Sequence, residues 1–235
     1  MRHSGHWPYT VVDGHDDGMH AQLVLFDGFD PLDVIGPYEV LVAGSDAVGG
    51  DLTVELVSAE GARPVSSGSR GLVLNATAML DPAKPGFVIV PGAVGPITAD
   101  PDEVDTIPVL LSRFGETGAI ELMRKALAHP DITVATVCGG ALALAMAGLI
   151  EGRRAATHHL GMDVLGATGV IAVPARVVDE GDLVSCGAVT SGLDLALHLL
   201  DRTYGPKVAL AVEALFGYER RGIVWTDSGR IPMEA

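Results

Sequence analysis

Cys138 is the residue of this chain best placed to do chemistry. It ends a β-branched run, Ile132-Thr-Val-Ala-Thr-Val137, and is followed by Gly139-Gly140 and then by Ala141-Leu-Ala-Leu-Ala-Met146. A strand that stops at a reactive side chain and turns sharply into a helix is a nucleophile elbow. Such an elbow exposes the sulfur at the carboxyl edge of a sheet and aims the free N–H groups of the helix N-terminus toward it. Both effects favour the thiolate, the nucleophilic form. Gly139 and Gly140 lack a Cβ and permit the tight turn and the close approach of a substrate. Free cysteines are also common small core residues, so two readings stand from this segment: reactive thiolate, or packing.

An elbow needs a sheet around it, and the rest of the chain supplies one. Ala21–Phe26 reads as a buried strand, followed by a loop with Gly28, Asp30 and Pro31 and a helix broken near Gly36-Pro37 that continues over Tyr38–Ala43. Leu52–Ala59 alternates as a strand, 65–76 reads as a hairpin, and Phe87–Val90 is a compact apolar strand ending at Pro91-Gly92. Ile120–Ala128 is a helix stopped before Pro130. After the elbow come a helix near His159–Leu165, strands at Pro174–Val178 and Leu183–Ser185, helices over Ser191–Thr203 and Lys207–Phe216, and a tail from Gly222. Near-continuous apolar strands alternating with helices predict one α/β domain over residues 20–235, with a mostly parallel sheet covered on both faces. Ligands of such sheets bind beyond the carboxyl ends of the strands. Three loops leave those ends: 27–33 with its carboxylates, 91–95 with free backbone N–H groups, and 138–140 with the sulfur.

Residues 132–150 carry no charge, and nineteen residues just reach the length of a membrane-spanning helix. The glycine pair splits the run and its first half is strand-like, so a buried strand and a buried helix are expected instead. Net charge is −15, which argues against nucleic acid or anionic membrane as a partner. With 48% hydrophobic and 19% charged residues the chain can build a sizeable core. Two distant cysteines, Cys138 and Cys186, suggest a reducing compartment rather than a disulfide scaffold. Residues 1–19 are polar, with His3, His6, His15 and the adjacent His20 among acidic Asp13, Asp16 and Asp17, and lack the apolar core of a signal peptide. They read as a flexible extension, their histidines matching no standard metal site, and the whole as a cytoplasmic protein.

These features resemble the ThiJ/PfpI family of the class I glutamine amidotransferase-like superfamily. The matching strings are Asp33-Val-Ile-Gly-Pro-Tyr-Glu-Val-Leu41, Val90-Pro-Gly-Ala93, Cys138-Gly-Gly140, Ala147-Gly-Leu-Ile-Glu-Gly-Arg-Arg-Ala-Ala-Thr-His158 and Thr190-Ser-Gly-Leu-Asp-Leu-Ala-Leu-His198. The resemblance implies a flavodoxin-like three-layer sandwich, a homodimer with Cys138 at or near the subunit boundary, and a small-molecule substrate. Two of the strings are similar to isonitrile hydratases and to amidase-like domains of AraC-type regulators. Only 32 residues follow Thr203, too few for the regulators' paired DNA-binding units. The implied chemistry is hydration of an isonitrile to an N-substituted formamide, without metal or organic cofactor. Cys138 is the implied nucleophile and Asp33 the carboxyl group facing it, the pair titrating as a unit. Backbone N–H groups near Gly92 and Ala93, and at Gly139, are candidates to stabilise developing charge.

Two departures stand out. A PfpI-type peptidase resemblance calls for histidine directly after the nucleophile and a hydratase resemblance for threonine, but Gly139 stands there. Two other functions therefore stay open: a glyoxalase-type lyase on small dicarbonyls, and a non-catalytic redox sensor in which peroxide oxidises Cys138 to sulfinic acid. Each candidate also has a plainer role. Asp33 is suited to cap a helix, Asp27 and Asp30 to form a turn, and Glu39 to lie on a surface. His158 is either half of a Cys-His dyad or structural. Arg153 and Arg154 suit surface ion pairs, Thr190-Ser191 an N-cap, and Cys186, Met123, Met146 and Met162 core packing.

Overall fold

A strand whose every side chain is apolar must be covered on both faces. Gly86–Val90 is buried at all five positions and Ile132–Val137 at all but one. The computed structural model describes residues 18–98, 100 and 105–230. In chain order its elements are β1 (Met19–Val24), α1 (Pro31–Ala47), β2 (Leu52–Ser58), β3 (Arg63–Ser66), β4 (Val73–Ala76), β5 (Ala78–Met79) and β6 (Gly86–Val90). Then follow α2 (Ile107–Phe114), α3 (Ala119–Ala128), β7 (Ile132–Val137), α4 (Gly140–Met146), β8 (Arg154–Ala155), a 3-10 turn at His159–Gly161, α5 (Met162–Ala167) and β9 (Ile171–Ala172). The chain closes with β10 (Val177–Asp179), β11 (Leu183–Cys186), α6 (Ser191–Tyr204), α7 (Pro206–Phe216) and β12 (Trp225–Thr226).

The main sheet runs β12-β10-β11-β7-β6-β1-β2-β5. All its pairings are parallel except β10 with β11. Helices α1, α6 and α7 pack together as one layer, and α2, α4 and α5 as another. This is the expected flavodoxin-like three-layer sandwich. Leu23, Val88, Ile89, Val134 and Val184 fill the sheet's core, each burial contributing about 1.5–3 kcal/mol. The hairpin expected within 65–76 is β3 with β4, antiparallel. No described helix is long and apolar enough to cross a membrane.

Several local expectations need correction. The first helix is not broken at Gly36-Pro37: α1 runs through both. An interior proline removes one backbone donor and costs about 3 kcal/mol in an isolated helix, but here Pro37 is buried against Gly192 of α6. Tertiary packing overrides the local preference. The strand expected at Pro174–Val178 begins three residues later, since Ala175 N–H turns back onto the Val173 carbonyl at 2.8 Å. The segment near His159–Leu165 is a 3-10 turn followed by α5 rather than one helix. Met146 is 42% exposed, whereas Met123 is fully buried; only the second is core packing. The tail from Gly222 contributes β12, paired in parallel with β10. The expected extension 1–19 lies outside the described residues up to 17, and Met19 already pairs with Leu52 in the sheet.

Candidate active site

The elbow forms because β7 cannot continue. Cys138 has φ +53°, the only described non-glycine residue with positive φ, a conformation that costs an L-residue roughly 1–2 kcal/mol. Two hydrogen bonds hold it there. Its N–H donates to the Cys186 carbonyl at 3.1 Å, and its own carbonyl accepts from Thr157 Oγ1 at 2.7 Å. A side chain at Gly140 would collide with the Val90 carbonyl, so the turn into α4 requires glycine. The helix is only seven residues long, and the adjoining Gly139 N–H favours the ionised sulfur.

Asp33 stands in the first turn of α1, just past the loop after β1. Asp30, not Asp33, is the N-cap of α1: its side chain accepts from Leu32 N–H at 3.0 Å, and Pro31 follows where a missing donor costs nothing. That frees Asp33 to point inward, where it is fully buried. Its Oδ2 accepts from Gly92 N–H at 2.8 Å, while its Oδ1 has no hydrogen-bond partner among the described residues. A Cβ at Gly92 would lie 2.5 Å from Gly139 N and 2.9 Å from Asp33 Oδ2, so the absence of a side chain there lets the three loops meet. The Asp30 N–H bonds the Gly92 carbonyl at 2.9 Å, and Ala93 bridges Phe29, locking the first two loops edge to edge.

Electrostatics at this junction differ from the sequence expectation. Burial, reinforced by the Asp30 carboxylate, pushes Asp33 up to about 8 against the opposing Gly92 N–H and Cys138 thiol. Burial also pushes the Cys138 thiol up, aided by the Asp33 and Asp30 charges, and the Gly139 N–H offsets only part of this. The elbow alone does not drive the sulfur to thiolate. At neutral pH Asp33 holds its proton, and a neutral Asp33 no longer opposes ionisation of its neighbour.

The remaining candidates divide. Gly139 is at the sulfur as expected, and the space a side chain there would need abuts Leu111 of α2, with Leu111 Cδ1 3.3 Å from a Cβ built on it. The Gly92 N–H is not free to stabilise developing charge, because it is committed to Asp33. Ala93 lies beside it in the bridge to Phe29. His158 caps the 3-10 turn: its Nδ1 accepts from Leu160 N–H at 3.3 Å and its ring lies 4.2 Å from that of His159. Burial and His159 hold it below the usual imidazole range, and no described hydrogen bond links it to Cys138. The dyad is not formed. Cys186 is fully buried with its thiol pushed well up by burial, and Glu39 is exposed. Arg153 and Arg154 pair with Glu180, Asp182 and Asp227. A concavity of about 660 Å3 bounded by Phe26, Arg63, Leu110 and Phe114 contains neither Cys138 nor Asp33. Sequence reading missed Leu111 and Thr157; the second lies inside the Gly-Arg-Arg-Ala-Ala-Thr-His string, the only signal that marks it.

Comparison with known proteins shows the family and the fold. An isonitrile hydratase of Pseudomonas putida is 34% identical over 198 residues, spanning 83% of this chain and 76% of that protein. Among solved structures, a ThiJ/PfpI family protein from Pseudomonas syringae superposes with a TM-score of 0.72 at 21% identity, covering 92% of this chain and 84% of that one. Drosophila melanogaster DJ-1beta gives 0.70 at 17% identity, over 86% and 99%. Residues 19–202 match the DJ-1/PfpI family, and the chain belongs to that family.

Proposed function

We propose that this protein is a cysteine-dependent hydratase that converts an isonitrile, R–N≡C, to the N-substituted formamide R–NH–CHO. The observation that carries the reading is a fully buried Asp33 beside Cys138, with Oδ1 lacking a hydrogen-bond partner among the described residues; burial raises its carboxyl to about 8. The 34% identity to an isonitrile hydratase supports the substrate class.

The terminal carbon of an isonitrile must gain a nucleophile and a proton. The Cys138–Asp33 pair first loses one proton, and passing the remaining proton from sulfur to the carboxylate gives the reactive form, a thiolate beside a carboxylic acid. Sulfur attacks the carbon while Asp33 delivers its proton to that same atom, giving the covalent thioimidate R–N=CH–S–Cys138. Asp33, now a carboxylate, takes a proton from water as the oxygen adds to the thioimidate carbon and passes that proton to nitrogen. Collapse of the adduct returns the hydroxyl proton to Asp33, expels the Cys138 sulfur as thiolate and releases R–NH–CHO. One water is consumed and the pair returns to its starting charge. Gly92 serves this cycle by holding Oδ2, which leaves Oδ1 directed to the reaction. Leu111 presents an apolar wall where a hydroxyl at position 139 would stand. We place the reaction in a homodimer, with a second copy against the exposed Leu32 and Ile35 that flank Asp33 on α1.

The test is incubation with an aryl isonitrile and detection of the formamide. Turnover should be abolished in Cys138→Ala and reduced about 10²–10⁴-fold in Asp33→Asn, the range for loss of a general acid. No formamide from several alkyl and aryl isonitriles would overturn the proposal. Consumption of methylglyoxal would then favour the lyase. A mass gain of two oxygens at Cys138 under mild peroxide, without turnover of either compound, would favour the sensor, since a protonated Asp33 also suits a sulfinate.

A further inference from the structure

We infer that Thr157 is a positioning residue for the Cys138 sulfur, acting through the peptide plane that joins Cys138 to Gly139. The inference requires Cys138 as the reacting group but not an isonitrile as substrate.

A trans peptide is planar, and its C=O and N–H point in opposite directions. The carbonyl of Cys138 and the N–H of Gly139 belong to one such plane, and no described peptide bond is cis. Whatever fixes the carbonyl therefore aims the N–H. The carbonyl accepts from Thr157 Oγ1 at 2.7 Å, within a buried contact. On the other side of the plane lies the Gly139 N–H, which follows directly on the residue that carries the sulfur and favours its ionised form. Thr157 is itself held firmly. It is only 3% exposed, and the adjoining Ala156 N–H donates to Ser185 Oγ on β11 at 2.8 Å. Strand β11 is the parallel neighbour of β7, and its Cys186 carbonyl receives the Cys138 N–H. One strand thus anchors both ends of the strained residue, directly at its nitrogen and through Thr157 at its carbonyl. A strained φ persists only where its surroundings over-determine it.

Thr157→Val removes the hydroxyl at nearly constant volume, whereas Thr157→Ser keeps it and removes only the methyl group. A purely structural role would lower thermal stability in the first variant and leave the titration of Cys138 unmoved. The measurement is the pH dependence of Cys138 alkylation by iodoacetamide, followed by mass analysis of the peptide that carries it. In Thr157→Val the profile should move to higher pH by about half to one unit, with the rate at neutral pH falling roughly three- to tenfold, as loss of one hydrogen bond implies. Thr157→Ser should retain the original profile. A Val variant with an unshifted profile overturns the inference, as does a Ser variant shifted as far as Val. In the unaltered protein the Gly139 amide resonance should move as Cys138 titrates; a static resonance also overturns it, whether or not the Val variant folds. Formamide turnover is scored separately, so a failed substrate assignment leaves these outcomes readable.

Discussion

Leu111 and Gly139 share one volume: a Cβ built on the glycine would stand 3.3 Å from Leu111 Cδ1 and 3.6 Å from its Cδ2. Leu111 is 1% exposed and has little room to retreat. The pair is a size exchange between an element preceding the elbow and the elbow itself.

Gly139→Thr should therefore be crowded. Overpacking should lower unfolding free energy by about 1–2 kcal/mol, and Leu111→Ala in the same chain should relieve part of it. Chemical denaturation of the two single variants and the double variant gives the coupling. Strictly additive effects would show that the two side chains do not compete for space.

Asp33 should make the fold less stable as pH rises. An unfolded aspartate titrates near 3.9, and the folded one at about 8. Between those values the native state keeps a proton that the unfolded chain has released, so unfolding free energy falls with rising pH and levels off above about 8. Asparagine cannot ionise and can still accept from Gly92 N–H. Asp33→Asn should match the unaltered protein near pH 4 and exceed it by about 2 kcal/mol or more at pH 8. Urea unfolding at the two pH values checks this, and a pH-independent difference would contradict it.

Reactivity of Cys138 should have the opposite slope. The pair sheds its first proton near the Asp33 value, so alkylation and turnover should climb through about pH 8. Rates already at their plateau at pH 6 would mean a sulfur ionised independently of Asp33.

Gly140→Ala should be severe. The added methyl group meets the Val90 carbonyl, a backbone atom at the carboxyl end of the central strand β6, and cannot be accommodated by a rotamer change. A loss of at least about 3 kcal/mol is expected, read as a collapse of the thermal midpoint.

Much of this architecture is legible in the residues alone, for physical reasons. Strand β6 is a short apolar run and β7 a run rich in β-branched residues, and the Val137-Cys138-Gly139 junction is where the strand pattern gives way to a helical one. Helix α2 was not legible: Pro108 sits at its start and Asp105-Thr106 precede it, so it reads as loop, and Leu111 was lost with it. Thr157 leaves no pattern because its bond is to a backbone atom nineteen residues away. The charge state of Cys138 is not legible in the sequence, because burial of the sulfur and of Asp33 depends on how three loops close over each other. The Pro37 helix shows the same lesson in reverse, local preference yielding to a neighbour on α6.

The two margins of the main sheet, β5 and β12, are each two residues long. Where β5 and β12 form the margin, another chain finds almost no ladder of unpaired N–H and C=O groups on which to build, although β5 covers only Val57 and Ser58 of β2. The apolar centre of β6 and β7, rich in the side chains that favour fibrillar stacking, lies inside the sheet, with β1 and β2 on one side and β11 and β10 on the other.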